Sequence, residues 1–185
     1  IAALSGGKHT RMTLCVEQKN INSVIFGSNL IDEGYMTGDK VDIVCSIDIN
    51  EFRGTKNVQL IMRDVDRSEC DKVKYKGEIE SLKAYIDDPS SIGSDDIPSR
   101  DNFILVYNEL KNYDGKTLNF RSLTEMFPYF SRVRIAVILK AFEEAGIIDI
   151  NEDGNRLFMF KIHINKVSEK RDLFATPIIR KLHER

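Results

Sequence analysis

The stretch KVDIVCSIDINEFRGTKNVQLIMRDVD (residues 40–66) decides the fold of the N-terminal part of the chain. Apolar and polar residues alternate in each half of it, and the polar segment FRGTKN (residues 52–57), which contains Gly54, separates the halves. A period of two is typical of strands with one buried face, and a short polar turn joins antiparallel neighbours. The stretch therefore predicts a hairpin with one apolar face. The apolar face consists of Val41, Ile43, Cys45, Ile47 and Ile49 in the first strand and of Val58, Leu60 and Met62, which point inward, in the second.

Two shorter segments precede this hairpin and have the same texture. TRMTLCV (residues 10–16) alternates between apolar and polar residues, and NSVIFGS (residues 22–28) is an apolar run closed by a glycine. Several closely spaced strands of this kind are typical of a small antiparallel sheet or barrel. We therefore expect residues 1–66 to fold as an antiparallel β-barrel.

In the rest of the chain, the spacing of apolar residues predicts mostly helices and a few further strands. Apolar residues three and four apart predict an amphipathic helix over Arg67–Asp88, and a loop rich in Asp, Ser, Pro and Gly follows it. From Ser99, a good N-cap, the order is helix, strand, helix, helix and a hairpin with Asp153-Gly154 at its tip, as in a winged helix-turn-helix. The predicted fold class is multi-domain α+β: an antiparallel barrel, a linker helix and a winged-helix-like α/β domain. The predicted domains are residues 1–66, 67–98 and 99–185.

Composition excludes several classes of protein. The 185 residues carry a formal net charge of -2, which excludes a protein that binds polyanions through bulk charge but permits a local basic groove. Three widely spaced cysteines without a CxxC are typical of reduced thiols in a cytoplasmic protein, not of a disulfide scaffold or zinc site. No apolar run approaches the roughly 18 residues of a membrane span. Because the chain begins with Ile1, we expect it to be a piece of a longer protein.

No group of residues forms a recognisable catalytic motif. His9, His163 and His183 are too widely spaced to suggest a metal site, and the acidic pairs fall in the loop or on a helix surface, where solvated charge is the usual role. Glycine-rich phosphate loops, nucleophile elbows and kinase signatures are also missing from the sequence. We therefore expect no catalytic residue and no metal ligand in this chain, and no enzyme activity from it alone.

Two clusters of residues in the first domain favour binding of single-stranded nucleic acid. A small barrel holds single strands by stacking bases on aromatic rings and by contacting phosphates with basic residues. Phe52 beside Arg53 would place a stacking ring next to a cation. The alternative is that Phe52 closes the core of the barrel and Arg53 is a solvated turn residue. The first cluster is Lys8, His9 and Arg11, and the second is Asn50, Phe52, Arg53 and Lys56.

The same residues belong to a longer pattern. GGKHTRMTL (residues 6–14), INSVIFG (residues 21–27) and GDKVDIVCSIDINEFRGTKNVQLIMRDV (residues 38–65) resemble the OB-fold domain of RecJ-type exonucleases, which are specific for single-stranded DNA. Gln59 of this pattern joins the residues expected to contact nucleic acid. The pattern is met at Lys8, His9, Phe26, Gly27, Val41, Asp42, Asn50, Phe52, Gly54, Gln59, Leu60 and Asp64.

The C-terminal part carries a looser resemblance. IPSRDNFILVYNEL (residues 97–110) and EKRDLFATPIIRKL (residues 169–182) are similar to the C-terminal extension of RecJ proteins from low-GC Gram-positive bacteria. The usual Ser and Tyr of the closing motif are replaced here by Thr176 and Ile179. With this extension the resemblance covers nearly the whole chain.

The resemblance implies a division of labour within a longer enzyme. In the family, an upstream DHH domain and its DHHA1 partner hold Mn or Mg and hydrolyse phosphodiester bonds. This chain would be the non-catalytic C-terminal part of a cytoplasmic 5′-to-3′ exonuclease of DNA repair and recombination, without a cofactor of its own. Its OB fold would hold single-stranded DNA for the upstream domains, and no membrane would be involved.

The resemblance also makes single-strand DNA-binding protein the expected partner of the last domain. We predict an apolar groove lined by Phe120, Phe127, Ile135 and Phe158, where an aromatic side chain of an acidic tail would fit. Guanidinium groups at the rim would pair its carboxylate. The alternatives are that these aromatic residues form the core, that the whole chain is a protein-interaction module without DNA affinity, or that the winged helix binds duplex DNA. The predicted rim is Arg121, Arg132, Arg134 and Arg156.

Overall fold

A computed structural model describes residues 1–52, 54–152 and 159–184, and it divides the chain into two compact units, Ile1–Lys74 and Tyr75–Arg185. The first unit is a five-stranded sheet and the start of a helix. Its strands are β1 (Ala2–Leu4), β2 (His9–Val16), β3 (Lys19–Phe26), β4 (Val41–Phe52) and β5 (Thr55–Arg67), in the order β1-β2-β3-β5-β4.

One pair in this sheet differs from the predicted all-antiparallel arrangement. β3 and β5 run parallel, with Asn22 opposite Gln59 and Ile25 opposite Met62, whereas all the other neighbours are antiparallel. The reason is that residues 27–40 carry the chain across the sheet, so the strand beside β3 is β5. Among the described residues no pair joins β1 to β4. Strand pairing therefore does not close the predicted barrel, because β1 has only three residues.

The core of the first unit lies on one face of the sheet, which we call the inner face. Met12, Ile25 and Met62 are buried there together with Leu30 from the crossing segment. The Thr10 hydroxyl holds this segment, because it donates to the Ser28 carbonyl and accepts from the Leu30 backbone N–H, each at 2.9 Å. The crossing segment thus covers one end of the inner face.

The other end of the inner face is open, which corrects the prediction that Val58 points into a core. Ile47 is 75% exposed and Ile49 63%, and Val58, which lies opposite Ile49, is 56% exposed. The hairpin of β4 and β5 extends past its neighbour, because β3 pairs with β5 only over Gln59–Met62. Alternation places these side chains on the same face as the core, but nothing in the described part of the unit covers them.

A helix connects the first unit to the second. Helix α1 (Glu69–Asp87) falls within the predicted Arg67–Asp88, and the boundary between the units, after Lys74, lies inside it. Its apolar residues Tyr75, Ile79 and Leu82 pack into the core of the second unit. The predicted linker zone is therefore shared between two units and does not form a third.

The second unit contains the remaining elements: α2 (Arg100–Leu110), β6 (Thr117–Asn119), α3 (Phe120–Met126), α4 (Arg132–Glu144), β7 (Ile148–Glu152), β8 (Met159–Ile164) and α5 (Pro177–His183). The described elements follow the order helix, strand, helix, helix and two strands, and the sheet order is β6-β8-β7. Ser99 begins α2 with a capping box to Asn102, and the Ser131 hydroxyl accepts the Arg134 N–H at 2.9 Å to begin α4. The predicted Asp153-Gly154 tip lies outside the described residues.

Helix α4 lies inside the second unit. Ile135, Ile138, Leu139 and Phe142 are buried along one side of the helix, and Val137 and Ala141 are buried on another side. Helices α2 and α5 and the start of β7 contact it. A helix buried on several sides has only a narrow surface left for solvent.

We predict that Ile135→Ala lowers the free energy of unfolding by about 2–5 kcal/mol, because it removes buried methyl groups and leaves a cavity. The measurement is urea denaturation of the whole chain followed by circular dichroism. Ile104→Ala is the matched control, since Ile104 is 50% exposed on α2, and we expect its effect to stay within about 0.5 kcal/mol. Equal small effects in both variants would contradict the buried position of Ile135.

Candidate nucleic-acid interface

The face of the sheet opposite the core, which we call the outer face, carries rows of polar side chains together with Ile61 and with Val24, which is only 4% exposed. Residues opposite each other in neighbouring strands project to the same side of a sheet. Two adjacent rows cross β2, β3, β5 and β4. One contains Arg11, Val24, Ile61 and Ser46, and the next contains Thr13, Asn22, Gln59 and Asp48.

An aromatic pair lies at one end of the outer face. His9 and Phe26 are opposite each other in β2 and β3, with ring centroids 5.2 Å apart and an interplanar angle of 73°. Phe26 is 60% exposed. The backbone N–H of Gly27 donates to His9 Nδ1 at 3.0 Å, which places the proton of the neutral imidazole on Nε2. A base could therefore stack on Phe26 beside an oriented imidazole N–H donor.

Positive charge lies next to this pair. Arg11 follows His9 by two residues on the same strand, so it projects from the same face, and it is exposed. Lys8, also exposed, lies immediately before the strand. A guanidinium and an ammonium beside an exposed ring are the groups that contact phosphates and a stacked base in single-strand binding sites.

Amide side chains continue the outer face toward the β4–β5 turn. Asn22 lies opposite Gln59, and one row further on Asn50 lies opposite Asn57. Amides donate and accept hydrogen bonds without charge, so they can bind the edges of bases without binding phosphates. Asp48 lies opposite Gln59 in the first of these rows and places a carboxylate on this path.

The structure brings together much of the predicted set. His9 and Arg11 of the first predicted cluster and Asn50 of the second share the outer face. Gln59, predicted from the family pattern, lies between them. Lys56 lies opposite Glu51, in a row that alternation places on the inner face, and the two form an exposed ion pair at 3.8 Å. Arg53 and the side chain of Phe52 lie outside the described residues.

Phe26 is the interface residue that the sequence reasoning did not include. NSVIFGS is an apolar run, so the sequence does not show which of its side chains point to the core. The strand register decides this, because Phe26 lies opposite His9 and alternates with Ile25, which is buried on the inner face.

The predicted groove of the second unit is wrong for the described residues. Phe120, Phe127 and Ile135 are buried in the core, because the helices and β6 close over them. Phe158 lies outside the described residues. The alternative, that these aromatic residues form the core, is the one the structure supports.

The described arginines of the predicted rim have partners within the second unit. Arg121 lies over the Tyr75 ring, 4.5 Å from its centroid, and donates to the Tyr75 hydroxyl. Arg132 Nη1 donates to Glu78 Oε2 at 2.7 Å. Arg134 lies 5.4 Å from the Phe130 ring centroid. Arg156 lies outside the described residues. A carboxylate that bound Arg121 or Arg132 would compete with these contacts.

Within the described ranges, no three His, Cys, Asp or Glu side chains are grouped so that they could hold a metal ion. His163 and Asp114 form a pair, with His163 Nδ1 3.2 Å from Asp114 Oδ1. The pKa of Asp114 is lowered first by the hydrogen bond from the Ile164 backbone N–H and then by His163. These two contacts attach Asp114 to the end of β8.

None of the helices in the described part of the chain has the length and apolar character needed to cross a bilayer.

Comparison with known proteins identifies the first unit. Residues 2–64 match the family model of the RecJ OB domain. No curated protein and no solved structure gives a significant match. The family match confirms the predicted resemblance of the first domain. The matched residues begin in β1 and end in β5. The match does not extend to the second unit.

We predict that Phe26→Ala weakens binding of a single-stranded oligonucleotide by about 1–3 kcal/mol, because it removes one base-stacking surface. Fluorescence anisotropy of the whole chain with a labelled oligonucleotide measures this. Ile49→Ala is the control, since Ile49 is comparably exposed but projects from the inner face. Equal losses for both variants would exclude the outer face as the site.

Proposed function

We propose that the outer face of the first unit binds single-stranded DNA as a non-catalytic part of a RecJ-type exonuclease. The observation that carries this proposal is the exposed ring of Phe26 against His9, one row from Arg11, on the outer face of a sheet that matches the RecJ OB domain. The match supports single-strand binding, and the rows on the outer face supply the groups that binding needs.

In the proposed complex each kind of side chain has a separate task. A base stacks on Phe26, the nearby cations Arg11 and Lys8 contact the phosphates, and Asn22, Gln59 and Asn50 bind base edges. Because the cations lie at one end of the path and Asp48 lies further along it, few phosphates are neutralised. We therefore expect binding with a shallow salt dependence, carried more by stacking and amides than by charge.

The test of this arrangement is a pair of variants that remove one cation each. Arg11→Ala should lower the slope of log affinity against log salt by about 0.7, the value for one phosphate contact with a single strand. Lys56→Ala should leave the slope unchanged, because Lys56 lies opposite Glu51 in a row assigned to the inner face. A slope that changes with Lys56 and not with Arg11 would move the strand to the hairpin and overturn the proposed path.

The family resemblance extends the proposal to the longer protein. An upstream DHH domain with its DHHA1 partner would hold Mn or Mg and cut the strand 5′ to 3′, in DNA repair and recombination in the cytoplasm. The resemblance assigns the metal to those domains, and we propose no metal ligand in the first unit. The role of the first unit is then to hold the DNA strand. Its side chains need only stack on bases and contact phosphates and base edges.

A second candidate function is docking of single-strand DNA-binding protein, at a different place from the predicted groove. A cavity of about 700 Å³ opens beside α2 in the second unit, with Phe103, Tyr107 and Phe142 on its wall. Arg100, Lys170 and Arg171 also line it, together with Glu169 and Asp172, so three cations and two carboxylates surround the cavity. An apolar pocket with cations beside it suits an acidic tail that ends in an aromatic residue. Duplex DNA is disfavoured, because a helix-turn-helix protein inserts its second helix into the major groove, and α4, the corresponding helix here, is buried on more than one side.

Lys170→Glu with Arg171→Glu should weaken binding of an acidic peptide with a C-terminal aromatic residue by about tenfold or more, because two charge-assisted contacts become repulsive. Isothermal titration of the whole chain measures this. Lys161→Glu is the control, because Lys161 is exposed on β8 and does not line the cavity. No binding by the unmodified chain, or equal losses for both variants, would remove this function.

A further inference from the structure

An extra residue interrupts the pairing of β4 with β5 close to the aromatic pair of His9 and Phe26. Cys45 lies opposite Met62. The next pair is Val44 with Asp64, so Arg63 has no partner on β4. An extra residue of this kind is a β-bulge, and bulges beside functional sites often turn a side chain in a new direction. The residue that this bulge adds to β5 is an arginine.

The bulge leaves Arg63 on the outer face without a partner. Met62 is buried in the core of the inner face, and Val65 packs against the same core. In a regular strand one residue projects outward between two inward ones, but here there are two, Arg63 and Asp64. The Asp64 carboxylate accepts the Val65 backbone N–H at 2.9 Å. Arg63 is exposed, and its guanidinium has no hydrogen-bond or ion-pair partner among the residues that the structure describes.

Arg63 lies next to the exposed ring of Phe26. β3 and β5 run parallel here, with Ile25 opposite Met62 in the core. The residues that follow this pair, Phe26 and Arg63, are therefore neighbours on the outer face. His9 lies opposite Phe26 on the other side, in β2. The ring is thus bordered by an imidazole from one neighbouring strand and by a guanidinium from the other.

We propose that Arg63 contacts a phosphate of the nucleotide whose base stacks on Phe26. This inference rests on the proposed binding of single-stranded DNA by the first unit and adds a cation from a different strand to that site. The planar guanidinium can bind two phosphate oxygens through parallel N–H donors. Because Lys8 and Arg11 lie on the β2 side of the ring, Arg63 supplies a cation on the β5 side.

Carboxylates on the same face limit the phosphates to this end of β5. Asp64 follows Arg63 on the outer face. In the next outer row Asp42 lies opposite Asp66, whose carboxylate is paired with Lys72 at 2.6 Å. Carboxylates repel phosphates at short range. Arg63 thus borders an acidic surface, so a DNA strand that passes the aromatic ring runs across the sheet and not along β5 toward α1.

The first experiment measures binding of a labelled single-stranded oligonucleotide to the whole chain by fluorescence anisotropy at several salt concentrations. Arg63→Ala should lower the slope of log affinity against log salt by about 0.7, the value for one phosphate contact with a single strand. Arg63→Lys should keep the slope, because an ammonium also contacts a phosphate. Lys19→Ala is the matched control and should keep the slope, since Lys19 is exposed on β3 but alternation with Ile25 places it on the inner face.

The second experiment combines Phe26→Ala with Arg63→Ala. Two side chains that contact the same nucleotide are coupled, so the double variant should lose less affinity than the product of the two single fold-losses. An unchanged salt slope for Arg63→Ala, or losses that simply multiply, overturns this inference while a loss in Phe26→Ala leaves the proposed function intact. A chain that binds no single strand, or one in which Phe26→Ala binds normally, overturns the proposed function and this inference with it.

Discussion

The parallel pairing of β3 with β5 is the constraint on which the rest of the first unit depends. It sets which residues of β2, β3, β5 and β4 form a row, and a slip by one residue would reverse the faces of the shifted strand. With the register as it is, Met62 and Ile25 meet in the core, and Asn22 and Gln59 meet outside. The crossing segment secures this register, because Leu30 is buried in the core and Thr10 binds the backbone on both sides of Asn29.

Local patterns predicted elements well and long-range pairing less well. Alternation placed the strands, and the predicted cap at Ser99 begins α2, because these signals act within a few residues. The parallel pair could not be read from a pattern, since it depends on how residues 27–40 cross the sheet. For the same reason the sequence showed two polar clusters, and only the register places Gln59 between them on one face.

The arginines of the second unit show why a list of charged residues does not define a site. Arg121 is attractive in the sequence as a rim cation, yet it lies on the Tyr75 ring and donates to its hydroxyl. Tyr75 belongs to α1, about fifty residues earlier in the chain, so no local signal indicates the contact. Arg132 is likewise paired with Glu78 of α1. These cations join α1 to α3 and α4 and thereby stabilise the unit.

Strand β4 contributes to two surfaces at once, because successive side chains point to opposite faces. Asp48 and Asn50 lie on the outer face, in the rows where we place the DNA strand, whereas Ile47 and Ile49 lie on the inner face at the open edge. The two surfaces can therefore be changed independently by substitutions one residue apart, since the alternation that separates core from solvent also separates these two surfaces.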